Sequence, residues 1–120
     1  MSEGYETADL ISAREKAILV GAEFPAELQQ LAKTAGAATV GVILQKRNWP
    51  DPKYFIGRGK VDELKMEVAA RGANLVIFDN ELSPAQNRNL ETQLGVKVID
   101  RTELILDIFA GHAMSREGKV

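Results

Sequence analysis

Gly57-Arg58-Gly59-Lys60 stands directly before a helical stripe made by Val61, Leu64, Val68 and Ala69. Glycines let backbone N–H groups approach an anion, a helix N-terminus favours negative charge, and Lys60 adds a cation. A phosphate or an RNA backbone would suit such a turn. Two nucleotide fingerprints are not met. The P-loop requires a glycine five residues before Gly59, which is absent, and Val61 replaces the Ser or Thr that would hold magnesium. The dinucleotide fingerprint fails because Asp62 occupies the place of its third glycine. The competing reading is a tight loop-to-helix turn whose glycines take positive φ.

The loop leading into this turn interleaves basic and aromatic residues: Lys46, Arg47, Trp49, Lys53, Tyr54, Phe55, Arg58 and Lys60. Arg and Lys neutralise phosphates, and aromatic rings stack on bases. Alternatively the rings pin the loop to the body while the charges are solvated, and for Tyr54 and Phe55 this second reading is the stronger. Asp79 with Asn80, and Asp100 with Arg101, place carboxylates at strand tips, where they could bind magnesium or act as a base. The stronger expectation is structural: Asp100 caps a helix, and Asp79 pairs with an arginine as a clamp. His112 is the single histidine. It lies near a helix C-terminus, which favours a cation, and it has no partners for a catalytic triad.

The elements that must position these residues follow from periodicity. Ala17-Ile18-Leu19-Val20, Thr39 to Leu44, Leu75-Val76-Ile77-Phe78 and Val96 to Ile99 are short apolar runs that read as strands. Between them lie helical stripes. The first opens at Phe24-Pro25, carries Leu28, Leu31, Ala32 and Ala35, and stops at Gly36. The second follows Lys60 and ends at Gly72. The third starts with Ser83, Pro84 and Gln86 as a capping box and ends at Gly95. The last is capped by Asp100, with Glu103 as box partner and Leu104, Ile105, Ile108 and Phe109 as its apolar face. Alternating strands and helices predict a three-layer α/β fold with a mostly parallel four-stranded sheet, helices on both faces and strand order 2-1-3-4. Lys97 marks the fourth strand as an edge. Ligands of such sheets bind beyond the carboxyl ends of the strands, and that edge collects the Gln45 to Lys60 loop, Asp79 to Ser83, and Asp100-Arg101.

The 120 residues fit one domain, and 45% apolar residues suffice for one core. A net charge of -2 excludes a polycation, so nucleic-acid contact must come from a local patch. Without cysteine there are no disulfides or thiolate metal sites. No run is long enough to span a bilayer, and the acidic start is unlike a signal peptide, so the cytoplasm is the expected compartment. Residues 1–14 are expected to be a poorly ordered lead.

Three long segments resemble the N-terminal domain of HflX GTPases: Tyr54 to Lys60; Phe78 through Ser83 to Glu91; and Val98 through Asp100 to Phe109. The resemblance implies a domain over residues 15–112, with 113–120 as the start of a helical linker and a GTPase domain that this chain does not contain. It implies a translational GTPase relative that binds the large ribosomal subunit and splits or rescues ribosomes, notably under stress. GTP and magnesium would belong to the absent domain, and this fragment would hydrolyse nothing. Its implied share is docking to ribosomal RNA and packing on its own GTPase domain, with ATP binding also attributed to such domains. Lys46, Arg47, Trp49, Lys53, Gly57, Arg58, Gly59 and Lys60 are the primary candidates for RNA or phosphate. Asp79, Asn80, Ser83, Arg88, Asp100, Arg101 and Arg116 are secondary.

Overall fold

The computed structural model describes residues 15–46 and 51–111. The readings placed on the lead, Arg47, Trp49, His112, Arg116 and the linker therefore lie outside the described residues. The elements run β1 (Lys16–Gly21), α1 (Ala26–Thr34), β2 (Ala38–Leu44), α2 (Arg58–Arg71), β3 (Leu75–Phe78), α3 (Pro84–Leu94), β4 (Lys97–Asp100) and α4 (Arg101–Phe109). The strands are all parallel and lie in the order β2-β1-β3-β4, as expected.

The apolar runs explain the layering. Side chains alternate across a strand, so a central strand covered on both faces must be apolar at every position. Ile18, Val20, Val76, Phe78 and Val98 form one core with Val61, Leu64 and Val68 of α2 and Leu90 and Leu94 of α3. Ala17, Leu19, Leu75, Ile77 and Ile99 form the other with Leu28 and Ala32 of α1 and Leu104 of α4. The chain leaves β1 towards one edge and β3 towards the other, so the loops after these two strands diverge and open the crevice in which such folds bind ligands.

Both sheet edges are partly closed by side chains. The β1–β2 register slips between Ala17 and Ile18, leaving Val40 extra, and its carbonyl accepts from Arg71 Nη1 at 3.1 Å. Gly41 makes room for that arginine: a Cβ there would meet Arg71 Cδ at 3.0 Å. On β4, the Val98 N–H donates to Glu91 Oε2 (3.0 Å) and the Val98 carbonyl accepts from Asn87 Nδ2 (2.8 Å). These bonds occupy the groups that would otherwise invite another strand.

Two expectations change. The glycines of the Gly57–Lys60 turn do not use positive φ. Helix α2 starts at Arg58, so Gly57 is its N-cap, in extended conformation at φ -70°, ψ 161°. The reversal occurs earlier, at Phe55, with φ 71°. At α4, Asp100 caps through Glu103 N, but the reciprocal side-chain bond that would complete a box is not formed. The Ser83–Gln86 box is complete.

Candidate functional site

The segment from Asp51 to Gly57 is an ordered platform. Asp51 Oδ1 accepts from the backbone N–H of Lys53 (2.7 Å) and Tyr54 (3.1 Å), an Asx-type turn. The main chains of Asp51 and Phe55 exchange two hydrogen bonds, at 3.0 and 2.8 Å. A bulky residue at positive φ costs about 1–3 kcal/mol and persists only where its surroundings over-determine it. Here they do. The Phe55 ring packs edge-on against Phe78, with centroids 6.1 Å apart, and its neighbours Tyr54 and Ile56 are buried. Helix α3 then fastens the platform: Gln86 Nε2 donates to the Asp51 carbonyl (2.8 Å) and Asn89 Nδ2 to the Lys53 carbonyl (3.1 Å).

Beyond the platform comes the N-terminus of α2. Gly57 offers no side-chain cap, and no acidic residue lies in the first turn. Lys60 N and Val61 N both donate to the Gly57 carbonyl at 3.0 Å, whereas the N–H groups of Arg58 and Gly59 have no acceptor among the described residues. A Cβ on Gly59 would meet nothing within 4 Å. Neither backbone conformation nor packing therefore demands glycine at this position. The open N–H groups carry the positive end of the helix dipole. The nearby cations are weakly engaged: Arg58 Nε lies 3.9 Å from Asp62 Oδ1, and Lys60 Nζ 3.0 Å from Glu63 Oε1, both surface pairs. Such pairs are worth at most about 1 kcal/mol and yield to a stronger anion. Lys53 lies over the Tyr54 ring at 5.5 Å. Lys53, Lys46 and Arg88 are exposed and form no ion pair among the described residues.

The crevice between the β1 and β3 loops is different. Arg101 fills it, donating from Nη1 to Asp79 Oδ1 (2.9 Å) and from Nη2 to Glu27 Oε1 (2.8 Å). These bonds, to Glu27 first and Asp79 second, raise the Arg101 pKa and hold its charge in place. Gly21 faces the same space: a Cβ there would lie 3.2 Å from the Glu23 carbonyl oxygen. Asp100 is buried with both oxygens used, Oδ1 accepting from Glu103 N and Oδ2 from Leu82 N, each at 2.9 Å. Asp79 and Asp100 are thus committed as clamp and cap. Among the described residues no acidic or histidine cluster is arranged to hold a metal ion.

The structure therefore separates the sequence candidates. Lys53, Gly57, Arg58, Gly59 and Lys60 gather at the platform and the α2 N-terminus, with Lys46 at the end of β2 and Arg88 one residue from the anchoring Asn89. Asp79 and Arg101 form the crevice clamp, Ser83 and Asp100 are helix caps, and Asn80 is an exposed residue of the turn after β3. Sequence reasoning missed Asp51, Asn89 and Glu27, and it saw Gln86 only as a cap partner and Phe55 only as an anchor of the loop, not as the residue that carries its reversal. Asp51-Pro52-Lys53 carries an Asx-turn signal that could have been read. Glu27 is 74 residues from Arg101 and has no local signal.

Residues 23–110 match the family described as GTP-binding GTPase N-terminal. The chain is 47% identical over 117 residues to a protein named GTPase HflX from Caldanaerobacter subterraneus, covering 92% of this chain and 27% of that protein. It is 46% identical over 120 residues to the GTPase HflX of Escherichia coli, covering 93% of this chain and 28% of that one. The crystal structure of SsGBP in complex with GDP superposes with a TM-score of 0.68 at 26% identity, covering 85% of this chain and 31% of that chain. This chain thus spans under a third of the length of these proteins.

Proposed function

The chain belongs to the GTP-binding GTPase N-terminal family, in the form found in HflX, and from that premise we propose that it docks an HflX-type GTPase onto the RNA of the large ribosomal subunit. The observation that carries this reading is the fastened platform. Lys53 is held by Asn89 and the Asp51 turn, and Arg58 and Gly59 follow at an uncapped helix N-terminus. Phosphates of an RNA backbone would meet N–H donors and a main chain already in position, so the ordering entropy that opposes binding is confined to the side chains of the cations. Binding then draws on counterion release and is salt-dependent. Lys46 and Arg88 carry further exposed cations, and the sequence adds Arg47 and Trp49 as candidates outside the described residues. Ribosome splitting or rescue, under stress and in the cytoplasm, would be the output of the whole protein. GTP and its magnesium would sit in the remainder, which performs the hydrolysis. No described helix is long and apolar enough to cross a membrane.

A nucleotide triphosphate such as ATP is a second occupant, favoured by the open N–H groups of Arg58 and Gly59. Against it, Arg101 fills the crevice that would hold base and ribose.

The test is co-sedimentation of the full-length protein with large subunits across a salt series. Arg58→Ala with Lys60→Ala should weaken binding and lower the slope of log K against log salt by about 1–2. An unchanged slope in the folded double variant would refute the docking role. Calorimetry with ATP on the same proteins separates the occupants: heat lost in the double variant supports nucleotide at this turn.

A further inference from the structure

The two edges of the sheet are finished differently. On β4, Val98 faces outward, and its N–H is bonded to Glu91 and its carbonyl to Asn87. On β2 only the Val40 carbonyl is taken, by Arg71. Beyond it, Gln45 N donates to the Gly21 carbonyl (2.8 Å), which turns Gln45, and with it Ile43, towards β1. Alternation then turns the N–H and carbonyl groups of Val42 and Leu44 outward. These groups have no partner among the described residues. The strand Ala38–Leu44 carries no charge and no proline, the usual guards of an open edge, and its one irregularity lies before Val42.

The chemistry of this edge selects what can cover it. Donors and acceptors that alternate at strand spacing match another main chain, whereas a polyanion could use only the donors. Val42 packs against the α1–α4 core, so Leu44 stands on the same side of the sheet, where it is 41% exposed. Leu44 pairs in register with Gly21, and the chain leaving Gly21 soon reaches Phe24, which is 57% exposed at the entry to α1. Lys46 is exposed just past the strand and has no ion pair among the described residues. A second copy of β2 brings no acid to Lys46. Paired two-fold about Val42, it also sets Leu44 against Val40, whose carbonyl Arg71 already holds.

We infer that the C-terminal half of β2, from Val42 to Lys46, is a docking edge for an extended segment of a partner protein. That segment adds as a further strand, setting an apolar side chain against Leu44 and Phe24 and an acidic one against Lys46. This does not rest on the RNA reading, because main-chain groups of β2 carry it and its test contains no ribosomes.

The probe is a short synthetic peptide, capped at both ends, that alternates valine and threonine and ends in glutamate; its twin ends in lysine. Binding to the full-length protein is read by fluorescence anisotropy and by hydrogen exchange at the Val42 and Leu44 amides. Docking predicts saturable binding of the glutamate peptide in the millimolar range or tighter, with exchange at both amides slowed roughly tenfold or more. Leu44→Pro deletes only an outward donor, at an edge position that tolerates proline, and should weaken binding roughly tenfold. Lys46→Glu should reverse the preference between the two peptides, a readout that does not depend on how the proline variant folds. An absence of saturable binding, equal affinity in a folded Leu44→Pro variant, or an unreversed preference in Lys46→Glu overturns the inference. Amides already protected in the free protein would show its own chain on the edge, and protection lost on dilution a second copy; either overturns docking of a partner. Loss of ribosome binding in the Arg58/Lys60 experiment leaves this result untouched.

Discussion

Gly59→Ala separates the stability of the domain from its binding. Gly59 lies in the first turn of α2, its φ is not positive, and a Cβ would touch nothing within 4 Å. Alanine therefore fits without strain. It restricts the unfolded chain and improves helix propensity, a gain of about 0.5–1 kcal/mol. For a domain of this size that raises the melting temperature by about 2–8 °C. Gly72→Ala is the control of opposite sign: Gly72 sits at φ 64°, where an L side chain costs about 1–2 kcal/mol. Binding should move the other way at position 59. A methyl group beside the open N–H groups of Arg58 and Gly59 crowds an approaching phosphate, so affinity for large subunits should fall several-fold, by about 1 kcal/mol. Urea unfolding and co-sedimentation read the two effects. A destabilised Gly59→Ala would refute the backbone reading. A stabilised variant with undiminished binding would show that the space beside Gly59 serves no partner.

The other perturbations test the scaffold. Asp100→Ala removes a helix cap (about 1 kcal/mol) and strands the Leu82 N–H (about 1–3 kcal/mol), so urea unfolding should show a loss of about 2–4 kcal/mol. Asp100→Asn keeps one acceptor and should lose about half as much; equal, negligible losses would contradict the two-bond cap. Glu103 holds its proton more tightly in the folded state than in the unfolded state, because of burial and Asp107. Its charge therefore opposes folding above its raised pKa, and that opposition fades as the pH falls through the carboxylate range. Glu103→Gln should accordingly be more stable than wild type at neutral pH, with the difference closing in acid; a difference that widens in acid would contradict the assignment. Gln86→Ala with Asn89→Ala unties the platform from α3. Hydrogen exchange at residues 51–57 should quicken and ribosome affinity fall although no cation is removed, and unchanged affinity would mean that the platform need not be pre-ordered.

What was legible in the sequence was local or periodic. Leu75–Phe78 and Ala17–Val20 read as central strands because parallel strands covered on both faces must be apolar throughout. The Ser83–Gln86 box and the Asp100 cap read correctly because a cap and its partner are three residues apart. The second bond of each was hidden: Gln86 reaching Asp51 and Asp100 reaching Leu82 depend on how distant segments meet. Positive φ was expected at glycine and fell on Phe55, where packing on Phe78 outweighs the intrinsic cost. Phe109 follows the helical spacing of the inner face, but the core engages Leu104 and Ile108 and leaves the ring exposed. The turn at Gly57–Lys60 was recognisable as a helix start. That it is uncapped, and that Gly59 has no steric reason to be glycine, required coordinates.

The central claim is that the Lys53–Arg58 side of this domain faces ribosomal RNA. Site-specific photo-crosslinking measures this most directly, with the crosslinker placed in turn at positions 53, 58 and 88, and at Lys33 of α1 as the opposite-face reference, in the full-length protein bound to large subunits. The account predicts RNA crosslinks from 53, 58 and 88, lost at high salt, and none from 33. Crosslinks from 33 alone would contradict it.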